Sequence, residues 1–165
     1  MAFDRLYEAA YDLLAASLAI LGPKAPPRSY VAVGRPALDA SCDTLVTWVD
    51  LLERQQMSPR SAPGDPGRLA DRLSTGQVHM VYGFCVPTPI DGVLDAVAST
   101  ARAQEALSVV WELWNGIAQR VDASTLWSGK QKFVAFMPAR SYAEQGGMAM
   151  WEFGFDVQIN GEPGA

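Results

Sequence analysis

Leu6, Ala10, Leu13, Ser17 and Ile20 recur at the spacing of one helical face, which predicts a helix over 2–21. Asp4 places an acidic charge in its first turn, where the helix dipole favours it. Gly22-Pro23 ends it, because Gly takes the left-handed closing conformation and Pro does not continue a helix. A short β-rich run over 30–33 follows, closed by Gly34-Arg35-Pro36. In 41–56 the β-branched and aromatic centre Leu45, Val46, Thr47, Trp48 and Val49 predicts a strand, with its tail 51–56 open between strand and helix. In 78–86 Met80, Tyr82, Phe84 and Val86 fall on one side of a strand, Val81 and Cys85 on the other, and Pro87 and Pro89 end it. Asp91 is the expected cap of a helix over 92–121, whose stripe is Leu107, Val110, Trp111, Trp114, Ile117, Ala118 and Val121. A strand over 132–137 stops at Pro138. The cleanest alternation comes last: Ala149, Trp151, Phe153, Phe155, Val157 and Ile159 face one way, Glu152, Gly154, Asp156, Gln158 and Asn160 the other. Gly146-Gly147 eases a turn, so the last two strands are expected to pair as a hairpin.

The order α-β-β-β-α-β-β predicts an α+β fold: a mostly antiparallel sheet of about five strands with two helices packed on one face. The expected core sets Trp111 and Trp114 of the second helix against Trp151, Phe153 and Phe155 of the last strand. A length of 165 residues fits a single domain over 1–165. Within it, 57–76 gathers Pro59, Pro63, Gly64, Pro66, Gly67 and Gly76 and reads as a long exposed loop.

Apolar residues make up 49% and charged residues 19%, a globular balance. The net charge of -5, from 13 basic and 18 acidic side chains, argues against a free-standing nucleic-acid binder, which presents a basic face to phosphates. The first dozen residues carry Asp4, Glu8 and Asp12 against Arg5, the reverse of an export signal, and the apolar run over 13–21 is too short for a membrane span. The expected compartment is a reducing cytoplasm unless the chain joins a particle. Cys42 and Cys85 are expected as two buried free thiols, with a disulfide as the alternative because both lie in predicted strands that can be neighbours. With His79 and two cysteines, a zinc centre lacks a fourth ligand unless a carboxylate joins.

No nucleophile elbow and no phosphate-cradling glycine loop is present in the sequence. His79 reads as a surface or packing residue, and Glu152 and Asp156 as a solvated strand face. Three features qualify as contacts with a partner or another subunit. They are Arg60, Arg68 and Arg72 in the loop, Met148 and Met150 at the start of the last strand, and Arg140 and Tyr142 in an irregular segment after Pro138. Core filling by the methionines and a plain loop at 140–144 are the alternatives. Alanine at all three loop arginines is expected to disturb assembly without unfolding the domain.

Several stretches resemble one family in their order. Val33-Gly34-Arg35-Pro36-Ala37 followed by Cys42-Asp43-Thr44-Leu45-Val46 resembles the opening of small virion proteins of tailed phages infecting actinobacteria. Phe84-Cys85-Val86-Pro87, the helix ending Trp111-Glu112-Leu113-Trp114-Asn115-Gly116, and the closing Gly146-Gly147 with Phe155-Asp156-Val157 fit the same pattern. The likeness runs from about residue 28 onward, and the chain resembles the tail terminators, or tail-completion and neck proteins, of siphovirus-type phages. The resemblance implies a structural, non-enzymatic virion protein, made in the host cytoplasm and carried in the tail or neck. Such proteins form a homohexameric ring that ends tail-tube polymerisation and meets the head connector, with DNA passing through the bore. Implied partners are further copies of the chain, the tail-tube protein and the connector or stopper, with no membrane. No catalytic, cofactor or metal residue carries over. The alternatives are another neck component, or a small ligand-binding or enzymatic α+β domain using the cleft between sheet and helices.

Overall fold

The computed structural model describes residues 2–36, 42–54, 74–87, 95–129, 131–143 and 148–159. Helix α1 (Ala2–Leu21) turns Leu6, Ala9, Ala10, Leu13 and Leu14 into the interior. Ser17 is buried on the same face, and its hydroxyl donates to the Leu13 carbonyl at 2.7 Å, which satisfies a polar group that burial would otherwise penalise. Gly22, at φ +51°, releases the chain into a short 3-10 turn, Gly22–Lys24.

Strands β1 (Arg28–Ala32), β2 (Thr44–Arg54) and β3 (Ser74–Cys85) follow, then helix α2 (Ala96–Asp122) and strands β4 (Gln131–Phe136), β5 (Arg140–Ala143) and β6 (Met148–Ile159). The chain is α+β, with a mixed sheet of six strands in the order β1-β2-β3-β6-β4. β1 runs parallel to β2, and all other pairs are antiparallel. β4 lies against 155–159 of β6 and β5 against 149–152, so the two short strands share one flank of β6. The last two predicted strands do pair, β4 against β6, but not as a hairpin: β5 lies between them in sequence and itself pairs antiparallel with β6.

Several expectations change at the level of elements. The segment after Pro138 is not a plain loop: Arg140–Ala143 forms β5, because the flank of β6 beyond β4 offers an unpaired ladder that an extended segment fills. The 51–54 tail continues β2 as strand, with the register shifting between Val49 and Leu51. Ser74, Thr75 and Gly76 belong to β3, not to the loop drawn over 57–76. The rest of that loop, with Arg60, Arg68 and Arg72, lies outside the described residues. The cap of α2 is Asp95, not Asp91: its side chain accepts from the backbone N–H groups of Val97 and Ala98 at 3.0 Å each.

The main core lies between the two helices and one face of the sheet. Val78, Met80, Tyr82 and Phe84 of β3 and Phe153, Phe155, Val157 and Ile159 of β6 meet α1 and α2 there. α2 contributes Ala106, Val109, Val110, Leu113 and Ile117. Trp114 packs on Phe136 and Phe153, with ring centroids 5.0 and 5.7 Å apart, and Trp151 is partly buried at the core margin. Trp111 is not in the core. It is 65% exposed and Leu107 is 51% exposed, because the inward row is the one through Ala106, Val110, Leu113 and Ile117, a rotation of about one residue from the predicted stripe. After α2, Leu126 and Trp127 turn back inward, and the Trp127 indole donates to the Ala9 carbonyl at 3.1 Å. A second, smaller cluster, Val46, Trp48, Val81 and Met150, lies on the opposite face of the sheet. No described helix is long and apolar enough to cross a membrane.

Candidate interaction surfaces

On the face of the sheet away from the helices, alternation places His79 of β3 beside Glu152 of β6 and Asp50 of β2. His79 is 6% exposed, and its ring lies 5.4 Å from that of Trp48. Nδ1 is 2.8 Å from Glu152 Oε1, and Nε2 is 3.7 Å from Asp50 Oδ2, too long for a hydrogen bond. Glu152 also accepts from Arg35 at 3.1 Å. Arg35 is carried in from the turn after β1, where Gly34 takes φ +81°, and its guanidinium carbon is 6.0 Å from the Tyr142 ring centroid. The solvated face expected for Glu152 is therefore corrected: its side chain is 14% exposed and held between a histidine and an arginine.

A cavity of about 120 Å³ opens beside this cluster, lined by His79, Met137, Arg140, Tyr142, Glu152 and Gly154. Nε2 of His79 is buried and has no hydrogen-bond partner among the described residues. Among the described residues no three His, Cys, Asp or Glu side chains gather at metal-binding distance. A larger cavity of about 470 Å³ lies at the far end of the helix pair, lined by Ile20, Glu112, Gly116, Gln119, Arg120 and Thr125.

The expected contact residues separate. Arg140 and Tyr142 are exposed on β5, at the rim of the smaller cavity. Met148 and Met150 are each 5% exposed, so the structure places them in packing rather than on a contact surface. β6 is flanked by β3 along its length, with β5 opposite its first residues, which encloses both methionines. Other exposed apolar side chains were not anticipated as contacts, and two of them, Leu107 and Trp111, were expected in the core stripe. Tyr30 and Val33 stand at the β1 edge and Val134 on β4, at the opposite edge. Val97, Leu107 and Trp111 form a ridge on the outer side of α2. The ridge carries the helical spacing expected of a core stripe, and only burial distinguishes it from one.

Near the start of β2, Cys42 and Cys85 form a disulfide with a Cα–Cα distance of 4.9 Å, which replaces the free thiols expected. Arg102 of α2 spans the same spot. It pairs with Asp43, donates to the Cys85 carbonyl at 3.2 Å and to Glu105 at 2.6 Å, and lies over the Phe84 ring at 5.8 Å. Burial disfavours its charge, but the Glu105 hydrogen bond and the Asp43 and Glu105 carboxylates outweigh that and raise its pKa above the ordinary arginine value. Burial, and then the Asp43 charge, raise the pKa of the nearby Tyr82 phenol. In comparisons with known proteins, no family model and no curated protein matches this chain.

Proposed function

We propose that this chain is a structural subunit that closes into a ring, of the tail-terminator kind, ending a phage tail tube and meeting the head connector while DNA passes through the bore. The observation that carries the reading is the disposition of exposed apolar side chains. The two ends of the described sheet differ: a parallel edge with Tyr30 and Val33, and a β4/β5 edge with Val134 and Tyr142. A third surface, the α2 ridge, holds a tryptophan outside the core. Unlike surfaces on one chain favour head-to-tail contacts, and head-to-tail contacts that close make rings. Exposed Trp and Tyr are the side chains that dominate such contacts. The order of motifs from residue 28 onward supports the same reading, and the net charge of -5 suits a bore that does not grip DNA.

Electron microscopy and native mass spectrometry of the purified chain, alone and with a tail-tube protein, test the reading. Annuli or a single closed oligomer are expected. Leu107→Glu with Trp111→Glu should dissolve them while leaving the melting temperature within about 2 °C, since exposed substitutions cost roughly 0.5 kcal/mol or less. A strict monomer that stays apart from tubes overturns the proposal.

A further inference from the structure

Cys42 and Cys85 flank the end of the β2–β3 ladder, which is held by backbone pairing of its own. β2 and β3 pair Thr44 with Gly83 and Leu45 with Tyr82; the ladder ends there, with Cys42 two residues before Thr44 and Cys85 two residues after Gly83, their Cα atoms 4.9 Å apart. Cys85 is itself held by β6, opposite Met148. Asp43, the residue between Cys42 and the ladder, takes φ +57° and is pinned by Arg102, which also holds the Cys85 carbonyl. Three elements therefore converge on the cysteine pair: the end of β3, the entry to β2 and the first half of α2. Cys42 is exposed and Cys85 half-buried, so small thiols and disulfides reach the pair without unfolding.

We propose that Cys42 and Cys85 form a redox-reversible staple that closes after the chain has folded, with the β2–β3 ladder and the Arg102 clamp setting the two sulfurs side by side beforehand. The oxidant is a small-molecule disulfide such as oxidised glutathione. The Cys42 thiolate attacks one of its sulfurs, forming a mixed disulfide and releasing one glutathione thiolate. The Cys85 thiolate then attacks the Cys42 sulfur, closing the internal bond and releasing the second. The two protons lost by the protein thiols are taken up by the two glutathione thiolates, and two electrons pass from protein to glutathione. The reverse reaction reopens the staple in a reducing medium. The inference does not depend on ring formation.

The test starts from chain purified with reductant. The reduced chain should keep its native near-ultraviolet circular dichroism. Titration with glutathione buffers, read by intact mass, should show loss of two hydrogen atoms and no lasting glutathione adduct. The effective concentration of one thiol for the other should exceed that in the guanidinium-unfolded chain by on the order of a hundredfold. Closure should raise the melting temperature by roughly 5–10 °C. Arg102→Ala should lower the native effective concentration about fivefold, the equivalent of one lost hydrogen-bonded contact, and Arg102→Lys should fall between, since an ammonium keeps the charge but not the fork. A reduced chain without native dichroism, or thiols that remain open or stop at the mixed disulfide, overturns the proposal. An unchanged Arg102→Ala overturns the clamp's part in it.

Discussion

Gly116 stands in the interior of α2, where helix propensity alone favours alanine by about 1 kcal/mol. Packing reverses that preference. A Cβ at Gly116 would lie 2.8 Å from three carbons of Ile20, so the whole side chain of α1, not its tip, would have to move. Overpacking of this kind costs roughly 1–3 kcal/mol, and Gly116→Ala is expected to lower the melting temperature by about 3 °C. A rise instead would show that the helices are free to separate. Trp127 makes a comparable point. Its ring stacks on Phe133 at 6.4 Å and meets Phe155 edge-on at 5.5 Å, and its N–H is satisfied by Ala9. Trp127→Ala should cost about 3–5 kcal/mol, measured by denaturant unfolding. Neither role was legible in the sequence. Trp127 belongs to no periodic run, and the closeness of Gly116 to Ile20 depends on how two helices pack.

Elements were read with uneven success, and the physical reasons differ. α1 was legible because its apolar spacing, its acidic first turn and its Gly-Pro stop agree. α2 was legible as a helix but not as a face, since alanines on several sides leave more than one row that a sheet can cover. β5 was missed because four residues carry too little pattern, and it is strand only because β6 has an unpaired flank. At this scale Asp95→Ala should shorten the start of α2 at a cost of about 1 kcal/mol, visible as a lower melting temperature, with Asp95→Asn near neutral. In α1, burial and then the Glu8 charge raise the Asp12 pKa above its ordinary value of 3.8. The folded chain thus holds that proton more tightly than the unfolded chain does. The stability from Asp12 is complete below about 3.8 and is lost as pH rises through the folded value. Asp12→Asn should raise the melting temperature slightly at pH 7, in line with about 0.3 kcal/mol for relieving a like-charge pair one turn apart, and the gain should vanish in acid below the ordinary value.

For the whole molecule, the proposed ring makes a prediction that a symmetric dimer does not. A variant with the α2 ridge charged, Leu107→Glu with Trp111→Glu, keeps the sheet edges. A variant with Val134→Glu keeps the ridge. If those surfaces meet head to tail, each variant alone is monomeric, while a mixture of the two gives a heterodimer and nothing larger in native mass spectrometry. Larger species, or no complex at all, would mean that ridge and edge are not partners. The candidate contacts were only partly legible from sequence. Arg140 and Tyr142 stand exposed, Met148 and Met150 are enclosed, and Trp111 moved from expected core to surface. An apolar residue looks the same in sequence whether it faces a partner or the interior.

Periodicity and turn chemistry, which act over a few residues, were enough to determine the α+β class, the helix and strand order up to β4, and the inward face of β6. Burial and register join residues far apart in the chain, so only the tertiary structure decided the parallel β1–β2 edge, the exposed ridge of α2, the enclosure of His79 between Glu152 and Asp50, and the pairing of Cys42 with Cys85.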